Sequence, residues 1–223
     1  MNLFDQLIRS RRRSVGIYIK GDGRVVVRAP LRLSDSAINN TVEKHRDWIV
    51  ARRQLVHERR QLVPEKSFTE GDKFHFLGKE YSLLFHDAPE DSVCLNDALL
   101  VPSAPPEKIR KLILKWYREQ ANEILSNKVN SFTQAFDLKL ENLKITSAAK
   151  NWGSCTARGN LNFPWRLVMC PLPIIDYVVI HELAHLLEMN HSPDFWQVVK
   201  TMCPDYQERR AWLRDNSYRF PGF

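Results

Sequence analysis

Ile174-Ile175-Asp176-Tyr177-Val178-Val179-Ile180-His181-Glu182-Leu183-Ala184-His185-Leu186-Leu187-Glu188 is apolar almost all the way round a helical wheel, the pattern of a buried helix. Its C-terminal half nevertheless carries two histidines and two glutamates. Residues four apart on a helix differ by about 40° in direction and about 6 Å in height, so His181 and His185 can close on one ion. Bonds of about 2.0–2.1 Å from zinc to nitrogen then bring both rings to the same centre. Burying these groups without partners is costly, and a divalent cation compensates them. Glu182 projects about 100° round from His181, beside such an ion, where a general base takes a proton from a metal-bound water of lowered pKa.

His191 is the expected third ligand. On a continued helix it would lie about 15 Å beyond His181, so the chain must turn between Glu188 and Asn190, and asparagine tolerates the left-handed conformation that ends helices. Ser192-Pro193-Asp194 reads as an N-cap, a first-turn proline and a dipole-favoured acid, opening a second helix with Phe195, Trp196, Val199 and Met202. The rival ligand is Glu188, on nearly the same face as His181 but far down the axis for the same ion. Three nitrogens and one open position describe a catalytic zinc site, although spacing does not separate zinc from its neighbours in the transition series. His45, His57, His75 and His86 have no partner spacing and read as ordinary histidines.

Working outward, Gly159 to Met169 and Leu143 to Thr146 read as strands, with Asn151-Trp152-Gly153-Ser154-Cys155 a turn or edge between them. Ile109, Leu112, Ile113, Trp116, Tyr117, Ile124, Leu125, Phe132 and Phe136 keep helical spacing after Pro105-Pro106. Further forward, Lys73 to Phe85 reads as two strands around Gly78-Lys79, followed by short strands near Val93 and Leu99. Ser14 to Lys20 and Arg24 to Arg28 form a hairpin about Gly21-Asp22-Gly23. Ser34 or Ser36 caps one helix to about His57, whose buried stripe is Ile38, Val42, Trp48 or His45, Ile49 and Val56. The class is therefore α+β, with a strand-rich N-terminal lobe holding one helix over 1–104 and a metallohydrolase domain over 105–223.

The chain has 223 residues and a net charge of +7, unevenly placed: residues 1–63 hold 14 Lys+Arg against 6 Asp+Glu. A solvated face is the plain reading of that excess, and an electrostatic guide for nucleic acid or another anion the sharper one. No run of about 18 apolar residues spans a bilayer, and no membrane partner is expected. Four scattered cysteines, the lack of a Cys-x-x-Cys pair and the lack of a secretory pattern point to the reducing cytoplasm.

The run from Tyr177 to His185, followed by Asn190-His191-Ser192-Pro193-Asp194-Phe195-Trp196, resembles the YgjP-type zinc metallopeptidases, relatives of the SprT-like zincins. Asn151-Trp152-Gly153-Ser154-Cys155 is similar to that family's Trp-Gly-Ser-Cys signature, and the basic, hairpin-forming front half also looks like theirs. The resemblance implies a minimal zincin-like core of helices on a small sheet and one catalytic Zn2+ held by His181, His185 and His191. It further implies Glu182 as base and Trp152, Gly153 and Ser154 lining the cleft. The family commonly has arginine where this chain has Asn151. Metzincins need glycine where Glu188 stands, so the likeness does not extend to them. Tyr177 either contacts a transition-state oxyanion or supports the helix from within the core. Cys155 is not needed as a nucleophile where a metal-activated water supplies one. The expected activity is peptide hydrolysis, with two alternatives: a metal-dependent hydrolase of an anionic small molecule such as a nucleoside triphosphate, and a nucleic-acid-associated zinc protease.

Overall fold

A computed structural model describes residues 3–86 and 92–223. The chain divides into two compact units, Met1–Glu65 and Lys66–Phe223. In the first, β1 (Gln6–Ser10), β2 (Gly16–Ile19) and β3 (Val25–Pro30) form a sheet of order β1-β3-β2. The expected hairpin is present, with Ile17 opposite Val27. The unforeseen β1 runs parallel to β3, with Leu7 beside Val27. Alternation turns Val25, Val27 and Ala29 to one buried face, where they share a core with Ile38 and Val42 of α1 (Asp35–Glu43) and Ile49 of α2 (Arg46–Leu62).

One helix was expected here and two are found. Ser34 caps α1 by accepting from Ala37 N–H. At the break, the His45 ring bonds to Thr41 O at 2.9 Å, the acceptor that the helical ladder would use, and the His45 N–H turns to Val42 O instead. The break resets the face of α2, so Trp48 is half exposed rather than part of the buried stripe.

In the second unit, β4 (Lys73–Phe76), β5 (Lys79–His86), β6 (Cys94–Leu95) and β7 (Leu99–Pro102) form a sheet of order β4-β5-β7-β6. α3 (Pro106–Ala135) follows, then β8 (Asn142–Thr146), β9 (Ser154–Cys155) and β10 (Asn160–Pro164) in the order β8-β10-β9. A 3-10 turn over Trp165–Met169 leads into α4 (Leu172–Ala184), α5 (Pro193–Met202) and α6 (Tyr206–Asn216). Six α-helices and small mixed sheets among the described residues make an α+β fold, as expected of a minimal zincin-like domain. Among those residues no helix is long and apolar enough to cross a membrane.

The strands of 73–102, grouped by the sequence reading with the front lobe, share a core with the C-terminal unit. Phe74, Phe76, Leu83, Leu99 and Val101 pack in one cluster with Ile109, Ile113 and Tyr117 of α3 and with α4. The β4–β5 turn is also pinned to the 3-10 turn that leads into α4. Leu77 and Gly78 N–H donate to Val168 and Met169 carbonyls at 2.8 and 3.1 Å. Gly78, at φ +83°, adopts the left-handed region, and a Cβ there would stand 2.8 Å from Pro171 Cγ.

Tyr117 is buried against Trp116, Trp165 and Phe223, and its hydroxyl donates to His75 O at 2.5 Å. Burial alone pushes its phenol far above the ordinary range. Tyr117→Phe strands that carbonyl, and we expect the second unit to lose about 1–3 kcal/mol in urea unfolding.

Candidate metal centre

α4 ends at Ala184 with His185 as its C-cap, a turn earlier than the sequence suggested. Leu186 N–H bonds to Leu183 O and Leu187 N–H to Ala184 O, tightening the exit. Asn190 is not among the residues with positive φ, so it does not end the helix in the way expected of it. Ser192 caps α5 by accepting from Phe195 N–H at 3.3 Å, with Pro193 in its first turn. The exit and the cap together return the chain so that His191 meets the end of α4.

One ring nitrogen from each of His181, His185 and His191 lies within 4.8 Å of the others. His191 Nε2 and His181 Nε2 are 3.1 Å apart. Two nitrogens on a tetrahedral zinc stand about 3.3 Å apart, so this pair already has a ligand spacing. His185 Nδ1 meets Glu188 O at 3.1 Å, which leaves Nε2 for an ion. Glu188 thus serves through its carbonyl, while its carboxylate takes Asn190 N–H at 3.4 Å and stands outside the cluster. Phe195, fully buried, has its ring centre 5.0, 4.5 and 4.7 Å from those of His181, His185 and His191, and so buttresses all three. The donor set suits a divalent transition ion. His181 and His185 are largely withdrawn from water and His191 is exposed, so the cluster opens to solvent on one side.

The electrostatics follow from burial. Desolvation, the neighbouring His185 and His191, and the Arg210 charge push His181 down to about 3. Desolvation first, then His185 and Arg210, also lower His191. Such rings stay neutral, as ligands must. Burial raises Glu182 to about 7 against the opposing Cys155 N–H bond. Burial likewise lifts Tyr177, one turn before His181, to about 12, with the two rings 5.9 Å apart. Tyr177 is only about 5% exposed, which fits support of the helix from within the core.

The signature segment meets the other side of Glu182. A Cβ at Gly153 would stand 2.5 Å from Glu182 Cγ and 2.6 Å from Oε1, so only glycine permits this approach. Ser154 Oγ accepts from Asn162 Nδ2 at 3.3 Å, across the β9–β10 pair. Cys155 has its thiol pushed up by burial and by Glu182, the reverse of a nucleophilic cysteine.

Trp152 lies under the Arg166 guanidinium, 3.7 Å from its ring centre. Arg166, missed by the sequence reading, is buried and donates to the carbonyls of Ala148, Ala149, Asn151 and Phe220. A cation within the apolar run Phe163 to Cys170 was its only signal. It supplies, from a remote position, a cation beside the tryptophan that Asn151 cannot. Arg210 was also missed; it lies 4.5 Å from the centre of the Trp196 ring, and no local pattern marked it out.

A family model described as YgjP-like, metallopeptidase domain matches residues 13–216. No curated protein matches the chain. His191→Ala should weaken binding of an added divalent ion by more than about 100-fold, beyond the range of outer-sphere partners, in competition with a chelating dye. Gly153→Ala should instead keep the ion and lose about 1–3 kcal/mol of stability as the new methyl displaces Glu182.

Proposed function

Because the chain belongs to the YgjP-like family of metallopeptidase domains, we propose that it hydrolyses peptide bonds with a zinc ion held by His181, His185 and His191. The convergence of the three imidazoles carries this reading. When bound, the ion supplies Lewis acidity, polarising a carbonyl and acidifying water.

The chain's own groups supply the rest. Glu182 follows the first ligand on the same helix and is held by Cys155 N–H on one side and packed on Gly153 on another. Its proton affinity, raised toward neutrality by burial, suits a group that takes a proton from the attacking water and returns it to the leaving amine. The Glu188 carbonyl orients His185 by holding Nδ1, and Phe195 keeps bulk water from the inner face of all three rings.

Among the described residues β9 pairs on one side only, with β10, so its other edge can receive an extended polypeptide as an added strand. Trp152, Gly153 and Ser154 then line the path of the substrate past Glu182, with Trp152 held in place by Arg166. Four free thiols, Cys94, Cys155, Cys170 and Cys203, support a reducing, cytoplasmic setting.

A second reading concerns the N-terminal unit. A groove of about 480 Å³ between the β2–β3 turn and α2 is lined by Arg53, Arg60 and His57 with Val50, and by Arg24, which Asp22 already pairs. That lining suits the phosphates of a nucleic acid, which would bring the peptidase to bound proteins.

Wild-type protein loaded with zinc should cleave unfolded polypeptide, and Glu182→Gln should lose about 10²–10⁴ of the rate while keeping its zinc by elemental analysis. Equal inertness of the two with zinc retained would defeat the peptidase reading. For the groove, the affinity of a labelled oligonucleotide should fall steeply between about 50 and 200 mM salt, and Arg53→Gln with Arg60→Gln should flatten that slope. Affinity indifferent to salt would dismiss it.

A further inference from the structure

The three arginines of α6 are treated differently. Arg209 is taken up by Asp205 at 2.8 Å and by the Pro173 carbonyl at 3.0 Å. Arg214 is paired with Asp215 at 2.9 Å. Arg210 makes no ion pair or hydrogen bond among the described residues and lies on the Trp196 ring instead. That ring is 5.7 Å from His191 and 5.8 Å from His181, and Tyr206, one turn before Arg210, stacks on it at 5.4 Å. The unpaired cation and the histidine cluster therefore share one aromatic wall.

A guanidinium lying on a ring keeps its N–H donors in its own plane, directed away from the ring, and the stack restricts its motion. An exposed lysine or arginine on a free stem loses that order. A cation held this close to a reaction centre, with its donors unfilled, matches the bidentate geometry of an oxyanion.

We infer that Arg210, seated on Trp196, is a substrate-binding residue that selects polypeptides carrying a carboxylate within a few residues of the bond to be cleaved. The inference rests on the peptidase reading above. Two sources share that chemistry, the side chain of Asp or Glu and the free C-terminal carboxylate. Trp196 contributes an apolar floor against which the neighbouring part of the chain can lie.

The test uses the full-length protein loaded with zinc and a pool of peptides made from a denatured proteome, with cleavage positions read by mass spectrometry. Wild type should show Asp, Glu or a chain terminus enriched about fivefold or more at one fixed offset from the cleaved bond. Arg210→Gln should lose that enrichment, and Arg210→Lys should keep part of it, since a point charge remains without the fork. Amidating the C-termini of the pool separates the two sources: enrichment that survives belongs to side chains, and enrichment that vanishes belongs to the terminus.

A second measurement avoids turnover. In Glu182→Gln, calorimetry should find an acidic peptide bound about tenfold more tightly than its amide counterpart, with the difference absent when Arg210→Gln is added. Zinc content equal to wild type in Arg210→Gln would show that the site has not collapsed. Cleavage without any acidic preference would overturn the inference and leave the peptidase reading standing. Inertness toward every peptide with zinc in place would remove both. Nucleoside triphosphate binding that outcompetes acidic peptides and depends on Arg210 would assign the cation to phosphate and overturn the carboxylate.

Discussion

Two histidines and a glutamate have been taken out of water on a helix that otherwise forms the apolar centre of its unit, and the neighbouring elements are arranged around that desolvation. Ile175, Val179, Leu183 and Ala184 have no exposed surface, while His181, Glu182 and His185 are interleaved with them. A buried polar group needs a partner, and a buried charge needs one more urgently. The molecule answers with a His181 imidazole kept neutral, one carbonyl at His185, one backbone N–H at Glu182, and a third imidazole, His191, brought in by the turn before α5. Among the described residues His181 Nδ1 has no partner, a mark of how little the fold offers these rings beyond one another.

That constraint explains which parts of the chain could be read from its letters. The start of α5 is written locally, since Ser192 caps and Pro193 opens it, and the His-Glu-x-x-His spacing works through helix geometry alone. α3 and the β2–β3 and β4–β5 hairpins were legible for the same reason, since periodicity and turn chemistry are short-range signals. β1 was not, because its reason for being a strand is β3, some twenty residues away, and parallel pairing leaves no turn behind. α6 was equally silent. Tyr206 is buried and Trp212 and Leu213 are half-buried, a stripe too short to mark out a helix whose value lies in where it carries Arg210.

The interior of the second unit carries a similar lesson. Ser103-Ala104-Pro105-Pro106 has the composition of a linker, yet it joins a strand and a helix that share one core. Pro105 and Pro106 at that point open α3, and composition alone does not separate this from a hinge. Burial of Phe74, Leu83 and Val101 against α3 decides the matter, and burial is a property of the tertiary structure.

Two cations outside the histidine cluster, Arg166 and Arg210, are not visible as motifs, and each acts through an aromatic ring. Arg166 sits beneath the signature segment, holds the carbonyls of Ala148, Ala149 and Asn151, and lies on Trp152, which leads directly to the Gly153–Glu182 contact. Arg210 lies on Trp196, which adjoins His181 and His191. The first is buried and saturated by carbonyls, so its charge organises the chain and reaches nothing outside it. The second is exposed and unsaturated, so its charge is available to whatever enters. The same guanidinium-on-indole contact thus serves structure on one side of α4 and recognition on the other, and the difference is set by how many acceptors the fold supplies.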